Sequence, residues 1–162
     1  MKIRVGFGYD VHPLKEGKDF WLGGIKIPHT KGAEGHSDAD VLTHAICDAM
    51  LGALALGDLG QHFPDSNPRY RGISSQTLLG ECLGLVNAQG GRVVNVDATV
   101  IAEAPKLFAW FGEMQKRLAE TLRLPPGQVS VKAKSPEGLG LLGRKEGIAA
   151  MAVVGVEVED LR

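Results

Sequence analysis

The sequence predicts an α+β fold in which helices pack on one face of a mixed four-stranded sheet, with a small hairpin beside it. The first observation is size: 162 residues with 44% hydrophobic and 23% charged residues suit one core, so residues 1–162 are expected to form a single domain. The second is the order of elements, which the local patterns give as β-β-α-α-β-α-β-β. The third is that this order lacks the strict alternation of strand and helix typical of a doubly covered parallel sheet.

Two strands are expected ahead of the first helix. Apolar side chains alternate with polar ones or glycine over residues 3–8, which predicts a strand that ends at Asp10 to His12. A polar turn over residues 15–19 separates it from residues 20–27, where Gly23 and Gly24 interrupt an apolar run. The second strand should therefore bend, and it supplies the small hairpin.

A helix is expected from Ser37 to Leu56, and a loop follows it. Ser37 is a candidate N-cap, the acidic residues just after it suit the positive end of the helix dipole, and Gly57 ends the Ala- and Leu-rich run. Residues 60–72 are rich in Pro, Asp, Ser and Asn, a composition typical of turns. A loop of this length often serves as a lid over a site.

Two further helices enclose a strand. Ser74 or Ser75 begins a helix that ends at residues 90–91, both glycine, and the alternation over residues 94–100 predicts a strand. Pro105 suits the first position of a helix that extends to about Arg123. Two strands complete the chain, at residues 129–133 and 153–158, while residues 148–152 are apolar but of uncertain type.

Composition excludes several classes of function. The net charge is −1 and the basic residues are scattered, so a nucleic-acid partner is not expected. The longest apolar stretch, residues 41–56, is interrupted by His44 and Asp48 and is shorter than the roughly 20 apolar residues of a membrane span, so no membrane role is expected. No secretory signal pattern opens the chain, and a cytoplasmic location is therefore expected.

A divalent metal site, most simply a zinc site, is predicted from three residues. Asp10 and His12 are two apart on one strand and so point to the same face. His44 lies in a stripe with Asp40 and Asp48, four residues apart along a helix that is otherwise apolar. The stripe could be the solvent face of an amphipathic helix, but it carries only the side-chain types that coordinate divalent metals. One Asp and two His would leave the fourth position of a catalytic zinc open.

A second candidate cluster lies in the Gly-rich stretch after the strand at residues 129–133. Lys134, Ser135 and Arg144 offer donors to phosphate oxygens, and the glycines let backbone N–H groups approach them. An ordinary turn is the alternative interpretation. Glu137 would repel a phosphate unless a cation such as Mg²⁺ lay between them, which indicates a second metal.

Six blocks of sequence, in order along the whole chain, resemble one family, the 2-C-methyl-D-erythritol 2,4-cyclodiphosphate synthases of the non-mevalonate isoprenoid pathway. The blocks are Gly8-Tyr9-Asp10-Val11-His12, His36-Ser37-Asp38-Ala39-Asp40-Val41, Gly57-Asp58-Leu59-Gly60, Phe63-Pro64-Asp65, Ala102-Glu103-Ala104-Pro105-Lys106, and Glu137-Gly138-Leu139-Gly140 followed by Gly143-Arg144. The resemblance implies a lyase that cyclises 4-diphosphocytidyl-2-C-methyl-D-erythritol 2-phosphate and releases CMP.

The resemblance also implies a role for each part of the site. It places one zinc per chain on Asp10, His12 and His44, Mg²⁺ or Mn²⁺ on Glu137, and stabilisation of transition-state charge on His36 and Ser135. The residues that it implies for substrate binding, besides Asp10, His12, His36, Ser135 and Glu137, are Ser37, Asp58, Leu59, Gly60, Phe63, Pro64, Asp65, Ser66, Asn67, Ala102, Glu103, Ala104, Pro105, Lys106, Leu107, Phe108, Lys134, Leu141 and Arg144. Lys134, where the family often has a hydroxyl residue, and Leu141, where an aromatic residue is expected, depart from its pattern.

The expected assembly is a homotrimer of ferredoxin-like subunits. A closed oligomer follows from the helix at residues 41–56, which is apolar on almost every side and exceeds what one sheet face can cover. The resemblance makes it a trimer with active sites between subunits and an axial cavity that takes an isoprenoid diphosphate. Two other classes stay open, a metal-dependent phosphohydrolase and a non-catalytic, zinc-stabilised binding module.

Overall fold

The computed structural model describes residues 1–159, which form a five-stranded sheet, a separate two-stranded hairpin and a set of helices. The strands are β1 Lys2–Glu16, β2 Phe20–Leu22, β3 Ile25–Ile27, β4 Lys31–Ala33, β5 Gly91–Ile101, β6 Val129–Lys134 and β7 Gly147–Val158. The helices are α1 Val41–Ala53, α2 Leu59–His62, α3 Ser75–Ala88, α4 Phe111–Leu122 and α5 Gly140–Gly143, with 3₁₀ turns at Pro68–Tyr70, Phe108–Trp110 and Pro126–Gln128. None of these helices has the length and apolar character needed to cross a membrane.

The sheet is mixed, and it has one strand more than expected. Its order is β4-β1-β7-β5-β6, with β5 and β6 parallel and every other pair antiparallel. The predicted α+β class with a mixed sheet is confirmed, as is the hairpin β2–β3, but the strand count of four is wrong. The extra strand β4 pairs with the end of β1 over only three residues, too few for an alternating pattern to be visible.

The last strand, β7, lies at the centre of the sheet and pairs with both β1 and β5. It includes residues 148–152, whose type the sequence left uncertain. Ile148, Ala149 and Ala150 are buried in succession, so no alternation of apolar and polar residues marks them as a strand. Both faces are covered only at this end of β7, where the residues therefore form a continuous apolar run, whereas Met151 and Val153 farther along are exposed on one face.

Two helix starts differ from the prediction. Helix α1 begins at Val41 and is capped by Asp40, whose side chain accepts the Thr43 N–H, so Ser37 is not its N-cap. Helix α4 begins at Phe111 and not at Pro105, because residues 102–107 are irregular and bury Leu107 before the 3₁₀ turn Phe108–Trp110. Helix α3 begins as predicted, with Ser74 as its N-cap.

Only one face of the sheet is covered by helices. Helix α1 packs on β1, β7 and β5, and α3 and α4 complete this layer. Eleven residues of α1 are buried within the chain, so the expectation that it presents unburied surface to another subunit is wrong. The opposite face of the sheet carries most of the large apolar side chains that stay exposed in the described residues: Ile3, Val5, Phe7, Tyr9, Val11, Met151 and Val153.

Candidate active site

The predicted metal ligands converge in the structure. The atoms Asp10 Oδ2, His12 Nε2 and His44 Nδ1 form a triangle with sides of 2.9, 3.0 and 3.1 Å. Within residues 1–159 this is the one group of three or more His, Cys, Asp or Glu side chains whose ligand atoms lie close enough to hold a metal ion. Two ligands come from a strand and the third from the helix that packs on it.

Two glycines in β1 allow the strand to pack so closely against α1 that Asp10 and His12 reach His44. A Cβ placed on Gly8 would lie 1.9 Å from the Ala45 carbonyl oxygen, and one on Gly6 would lie 1.8 Å from that of Ala49. No side chain fits in such a gap, so β1 touches the backbone of α1 directly. Since side chains alternate along a strand, Asp10 and His12 point to the same face as these glycines, towards His44.

The triangle fits a divalent metal. A tetrahedral zinc with bonds of about 2.0–2.1 Å has ligand atoms about 3.3 Å apart, within a few tenths of an ångström of these separations. The donor set is two imidazoles and one carboxylate, which suits zinc and leaves one coordination position for a ligand from the cavity.

The electrostatics of the cluster couple the three side chains. Burial opposes ionisation of Asp10, but hydrogen bonds and charge interactions with His12 and His44 outweigh it and lower the Asp10 pKa to about 2. Burial alone would lower the pKa of His44, yet the hydrogen bond and charge of Asp10, with Asp40 and Asp38 nearby, raise it. The ionised Asp10 carboxylate therefore attracts positive charge to the position where a cation would sit.

The three residues of the polar stripe, Asp40, His44 and Asp48, have different contacts in the structure. Asp40 is fully buried and accepts hydrogen bonds from the backbone N–H groups of Gly23 and Gly24, which ties the hairpin to the helix. Asp48 lines the cavity beside the triad and accepts the Leu59 N–H at 2.7 Å. Burial and then the charges of neighbouring acids raise the Asp48 pKa, although the Leu59 hydrogen bond opposes the rise. Only His44 of this stripe belongs to the metal cluster.

Ser75 and Asp38 lie behind His44, and the sequence did not reveal their part in the site. The Nε2 atom of His44 is 2.8 Å from Ser75 Oγ, and Ser75 in turn contacts the carboxylate of Asp38. Ser37 Oγ is 3.1 Å from the same nitrogen. Ser75 was interpreted only as a candidate helix start, and a serine at a helix N-terminus carries no signal that distinguishes capping from contact with a distant histidine.

The triad opens into a cavity of about 510 Å³. Of the residues expected around the substrate, those that line it are Asp10, His12, His36, Ser37, His44, Leu59, Gly60, Phe63, Pro64 and Asp65. Gly35, Asp48, Tyr70, Ile73 and Leu78 also line it and were not predicted. His36 lines the cavity, and its Nε2 atom is buried without a hydrogen-bond partner among the described residues.

Three of the predicted substrate-binding residues, Asp58, Ser66 and Asn67, lie beside this cavity and not in its lining. Asp58 caps helix α2 by accepting the Gln61 N–H at 2.9 Å. Asn67 caps the 3₁₀ turn Pro68–Tyr70 through the Arg69 N–H, and Ser66 is exposed next to it.

A second cavity, of about 260 Å³, lies at the far edge of the sheet. Predicted nucleotide-binding residues line it: Ala102, Glu103, Pro105, Lys106, Leu107, Phe108, Lys134 and Ser135. Ala104 lies within the same segment but not in the lining, which Phe111 and Ala133 complete.

The loop after β6 carries the remaining predicted residues on its surface. Glu137 is exposed and has a positive φ of 56°, and its N–H donates to Ser135 Oγ at 3.0 Å. Arg144 is exposed and paired with Glu146, and Leu141 is half exposed, at 49%. These side chains line neither cavity.

The two cavities share no lining residue. Asp10, Ala150, Val100 and Ala133 lie in one row across the sheet. Three strand spacings therefore separate the metal ligands from the second cavity, about 14 Å. Within one chain the predicted site is thus two half-sites.

Comparison with known proteins points to a single family. Residues 3–157 match the model of the YgbB family. A protein of Syntrophomonas wolfei named 2-C-methyl-D-erythritol 2,4-cyclodiphosphate synthase is 56% identical over 155 residues, which cover 96% of this chain and 99% of that protein. A CDP-bound structure of 2C-methyl-D-erythritol-2,4-cyclodiphosphate synthase matches with a TM-score of 0.88 at 37% identity, over 95% of this chain and 100% of that one.

A larger protein contains the same fold. The bifunctional IspDF of Campylobacter jejuni matches with a TM-score of 0.94 at 39% identity, over 98% of this chain. The match spans 43% of the bifunctional chain, so this chain corresponds to less than half of it.

Proposed function

Because the chain belongs to the YgbB family, we propose that it forms 2-C-methyl-D-erythritol 2,4-cyclodiphosphate from 4-diphosphocytidyl-2-C-methyl-D-erythritol 2-phosphate. It is a lyase of isoprenoid precursor biosynthesis that releases CMP. The observation that carries the proposal is a ligand triangle for a divalent metal at the mouth of a cavity lined by the family's substrate-binding blocks. A cytoplasmic location stays a prediction.

The chemistry needs no nucleophile from the protein. An oxygen of the substrate's 2-phosphate forms a bond to the β-phosphorus, the bond from that phosphorus to the bridging oxygen breaks, and CMP leaves with the electron pair. Both reacting groups are anions of one flexible molecule, so positioning and charge stabilisation dominate the barrier.

Asp10, His12 and His44 would hold zinc at one end of the substrate. Bound there, the ion would supply Lewis-acid stabilisation of phosphate charge and help to orient the phosphate. The chain's own contribution is to fix three ligand atoms about 3 Å apart on two elements in direct backbone contact.

His36 and Ser37 are the polar residues that we assign to the phosphate next to the triad. A buried, unpartnered Nε2 on His36 costs about 1–3 kcal/mol unless a ligand satisfies it. A phosphate oxygen in the cavity would do so, and the developing charge on the oxygens would strengthen that hydrogen bond in the transition state.

The erythritol moiety would lie under the segment formed by helix α2 and the loop after it. Leu59, Gly60, Phe63, Pro64 and Asp65 already line the cavity, while Asp58, Ser66 and Asn67 flank it. Because Asp48 accepts the Leu59 N–H, helix α1 anchors the start of this segment.

The second cavity would bind the cytidine and its phosphates. Residues of the segment 102–108 line it together with Lys134 and Ser135, and the exposed ring of Phe108 offers a surface on which a base could stack. Glu137 is a single exposed carboxylate; Mg²⁺ or Mn²⁺ there would take its remaining ligands from the diphosphate and water. Arg144 would face the same phosphates, and Leu141 would pack beside them.

We further propose that the working enzyme is a homotrimer whose active sites lie between subunits. The half-sites are separated by about 14 Å across the sheet, and helix α1 packs on the strands between them. The apolar face exposed on β1 and β7 supports an assembly that buries it around an axial cavity for an isoprenoid diphosphate.

Phosphorus NMR tests the reaction directly. The protein, with zinc and Mg²⁺, is incubated with the cytidylyl substrate, and the expected products are CMP and a cyclic diphosphate in equal amounts. Protein stripped by a chelator serves as the control and should be inactive. Release of inorganic phosphate would identify a phosphohydrolase instead, and a protein that binds zinc without any turnover would be a binding module.

A further inference from the structure

The two ring nitrogens of His44 have different surroundings. Nδ1 belongs to the ligand triangle, 3.0 Å from Asp10 Oδ2 and 3.1 Å from His12 Nε2. Nε2 points away from the triangle to Ser75 Oγ at 2.8 Å. A neutral imidazole carries one proton, so the partner of Nε2 decides whether Nδ1 has a lone pair free for a metal.

Ser75 can play only one part in this contact. It is fully buried at the start of α3, and Asp38 faces it with both carboxylate oxygens: one accepts the Ser75 N–H at 2.9 Å, and the other contacts the Ser75 hydroxyl. An ionised carboxylate accepts but cannot donate, so the hydroxyl hydrogen goes to Asp38. Ser75 Oγ must then accept from His44, which puts the imidazole proton on Nε2.

We propose that Asp38 and Ser75 are positioning residues that hold His44 as a metal ligand, fixing both the orientation of its ring and its tautomer. The relay runs from His44 Nε2–H to Ser75 Oγ and from the Ser75 O–H to the Asp38 carboxylate. It rests on the proposed function in that it assigns His44 Nδ1 to the metal.

Ser37 is a weaker candidate for the same task. Its Oγ is farther from Nε2, at 3.1 Å, and it already accepts the Ala39 N–H at 3.2 Å. It is also partly exposed and lines the substrate cavity, which leaves it available to a ligand. Ser75 is fully buried and lines neither cavity, so its hydroxyl is not available to a ligand.

The test compares two serines at the same end of α3. Ser75→Ala removes the acceptor of His44 Nε2–H, and outer partners of this kind typically change metal affinity by about 10–100-fold. The expected result is a zinc dissociation constant raised by about tenfold or more, measured against a competing chelator. Ser74→Ala is the matched control, because Ser74 caps the same helix through the Gln76 N–H but does not contact His44. It should bind zinc as the unaltered protein does.

A second measurement follows the proton itself. In the zinc-loaded protein, proton–nitrogen correlation spectra should show a slowly exchanging N–H on His44 Nε2, and Ser75→Ala should shift it and speed its exchange. Asp38→Asn provides an independent variant, because an amide no longer imposes acceptor-only character, and it should weaken zinc binding as well. If Ser75→Ala does not fold, the zinc dissociation constant and the Nε2–H exchange rate of Asp38→Asn test the relay instead.

The inference and the proposed function fail separately. Zinc affinity unchanged in both Ser75→Ala and Asp38→Asn, an equal loss in Ser74→Ala, or a proton on Nδ1 would each overturn the relay, as would a protein that binds no zinc. Absence of CMP release in a protein with the expected zinc affinities would leave the relay standing and refute the cyclisation.

Discussion

The candidate metal half-site, formed by Asp10, His12 and His44, and the proposed nucleotide half-site, the cavity at residues 102–108 with the loop after β6, are built in opposite ways. The ligands Asp10, His12 and His44 lie in or against the core, and buried groups behind them complete a hydrogen-bonded network. In the nucleotide half, Ser135 and Glu137 are exposed, and their contacts are 3.0–3.3 Å hydrogen bonds within the same surface region. The first half is preorganised in the isolated chain, whereas the second has one open side.

This difference indicates that the metal half can bind its ion within one chain, whereas the nucleotide half needs a second surface. A metal site needs ligand atoms fixed to within a few tenths of an ångström, which only packed elements supply. A nucleotide and its phosphates can be enclosed by a second surface that arrives with assembly, and an open half-site is consistent with a partner subunit that closes it.

The largest expected effect comes from breaking the preorganised half. His44→Ala should remove essentially all zinc from a protein that otherwise holds about one ion per chain, because two ligands are too few for a stable site. Activity should be lost with the metal. Metal analysis after dialysis measures the effect, and His29→Ala, a histidine outside both cavities, is the control. Full zinc occupancy in His44→Ala would mean that the ligand set is wrong.

Mixing two inactive variants tests whether the halves come from different subunits. His44→Ala and Glu137→Ala chains, dissociated and reassembled in equal amounts and assayed at a Mg²⁺ concentration too low for either variant alone, should regain about one quarter of the unaltered activity, since one interface in four pairs two intact halves. Co-purification of one variant with an affinity-tagged copy of the other should first establish that mixed assemblies have formed, and sedimentation should show that they are trimers. An inactive mixture of such trimers would mean that each site is built within one subunit.

The close contact between β1 and α1 is expected to hold the metal half in shape. Gly8→Ala places a Cβ 1.9 Å from a carbonyl oxygen and should lower the free energy of unfolding by about 1–3 kcal/mol or more, together with zinc affinity. Gly52→Ala is the matched control, because its Cβ would meet nothing nearer than 3.8 Å and the helix interior favours alanine. Chemical denaturation measures both, and equal stability of the two variants would remove this role from Gly8.

The smallest effect belongs to the open half. Glu137→Gln removes one charge from an exposed carboxylate and should leave zinc content unchanged while raising the Mg²⁺ or Mn²⁺ concentration needed for half-maximal turnover. Glu113→Gln, an exposed acid on α4, should change neither. A metal dependence unaltered by Glu137→Gln would exclude Glu137 from the second metal site.

Much of the metal half was predictable because its signals are local. Residues two apart on a strand share a face, and residues four apart share a helix stripe, so Asp10, His12 and His44 are visible as candidates from spacing. The same stripe also contained Asp40, which the structure assigns to the hairpin turn. Helical spacing shows that two side chains share a face, but not which neighbour each of them meets.

The nucleotide half was identified from resemblance and not from pattern. Exposed turns with Gly, Ser and Glu occur in many proteins, and nothing in residues 134–144 distinguishes a phosphate site from a surface loop. The structure adds the cavity at residues 102–108, because the Ala102 N–H pairs with the Lys134 carbonyl and brings the two segments together.

The sequence by itself determined the α+β class, most of the element types and the three residues of the candidate metal site, because each depends on periodicity within a few turns of helix or a few strand residues. Only the tertiary structure decided that β7 is central, that the uncovered apolar surface belongs to the sheet and not to α1, and that Ser75 contacts His44. Those facts depend on pairings between residues far apart in the chain, for which the local pattern of either partner carries no signal.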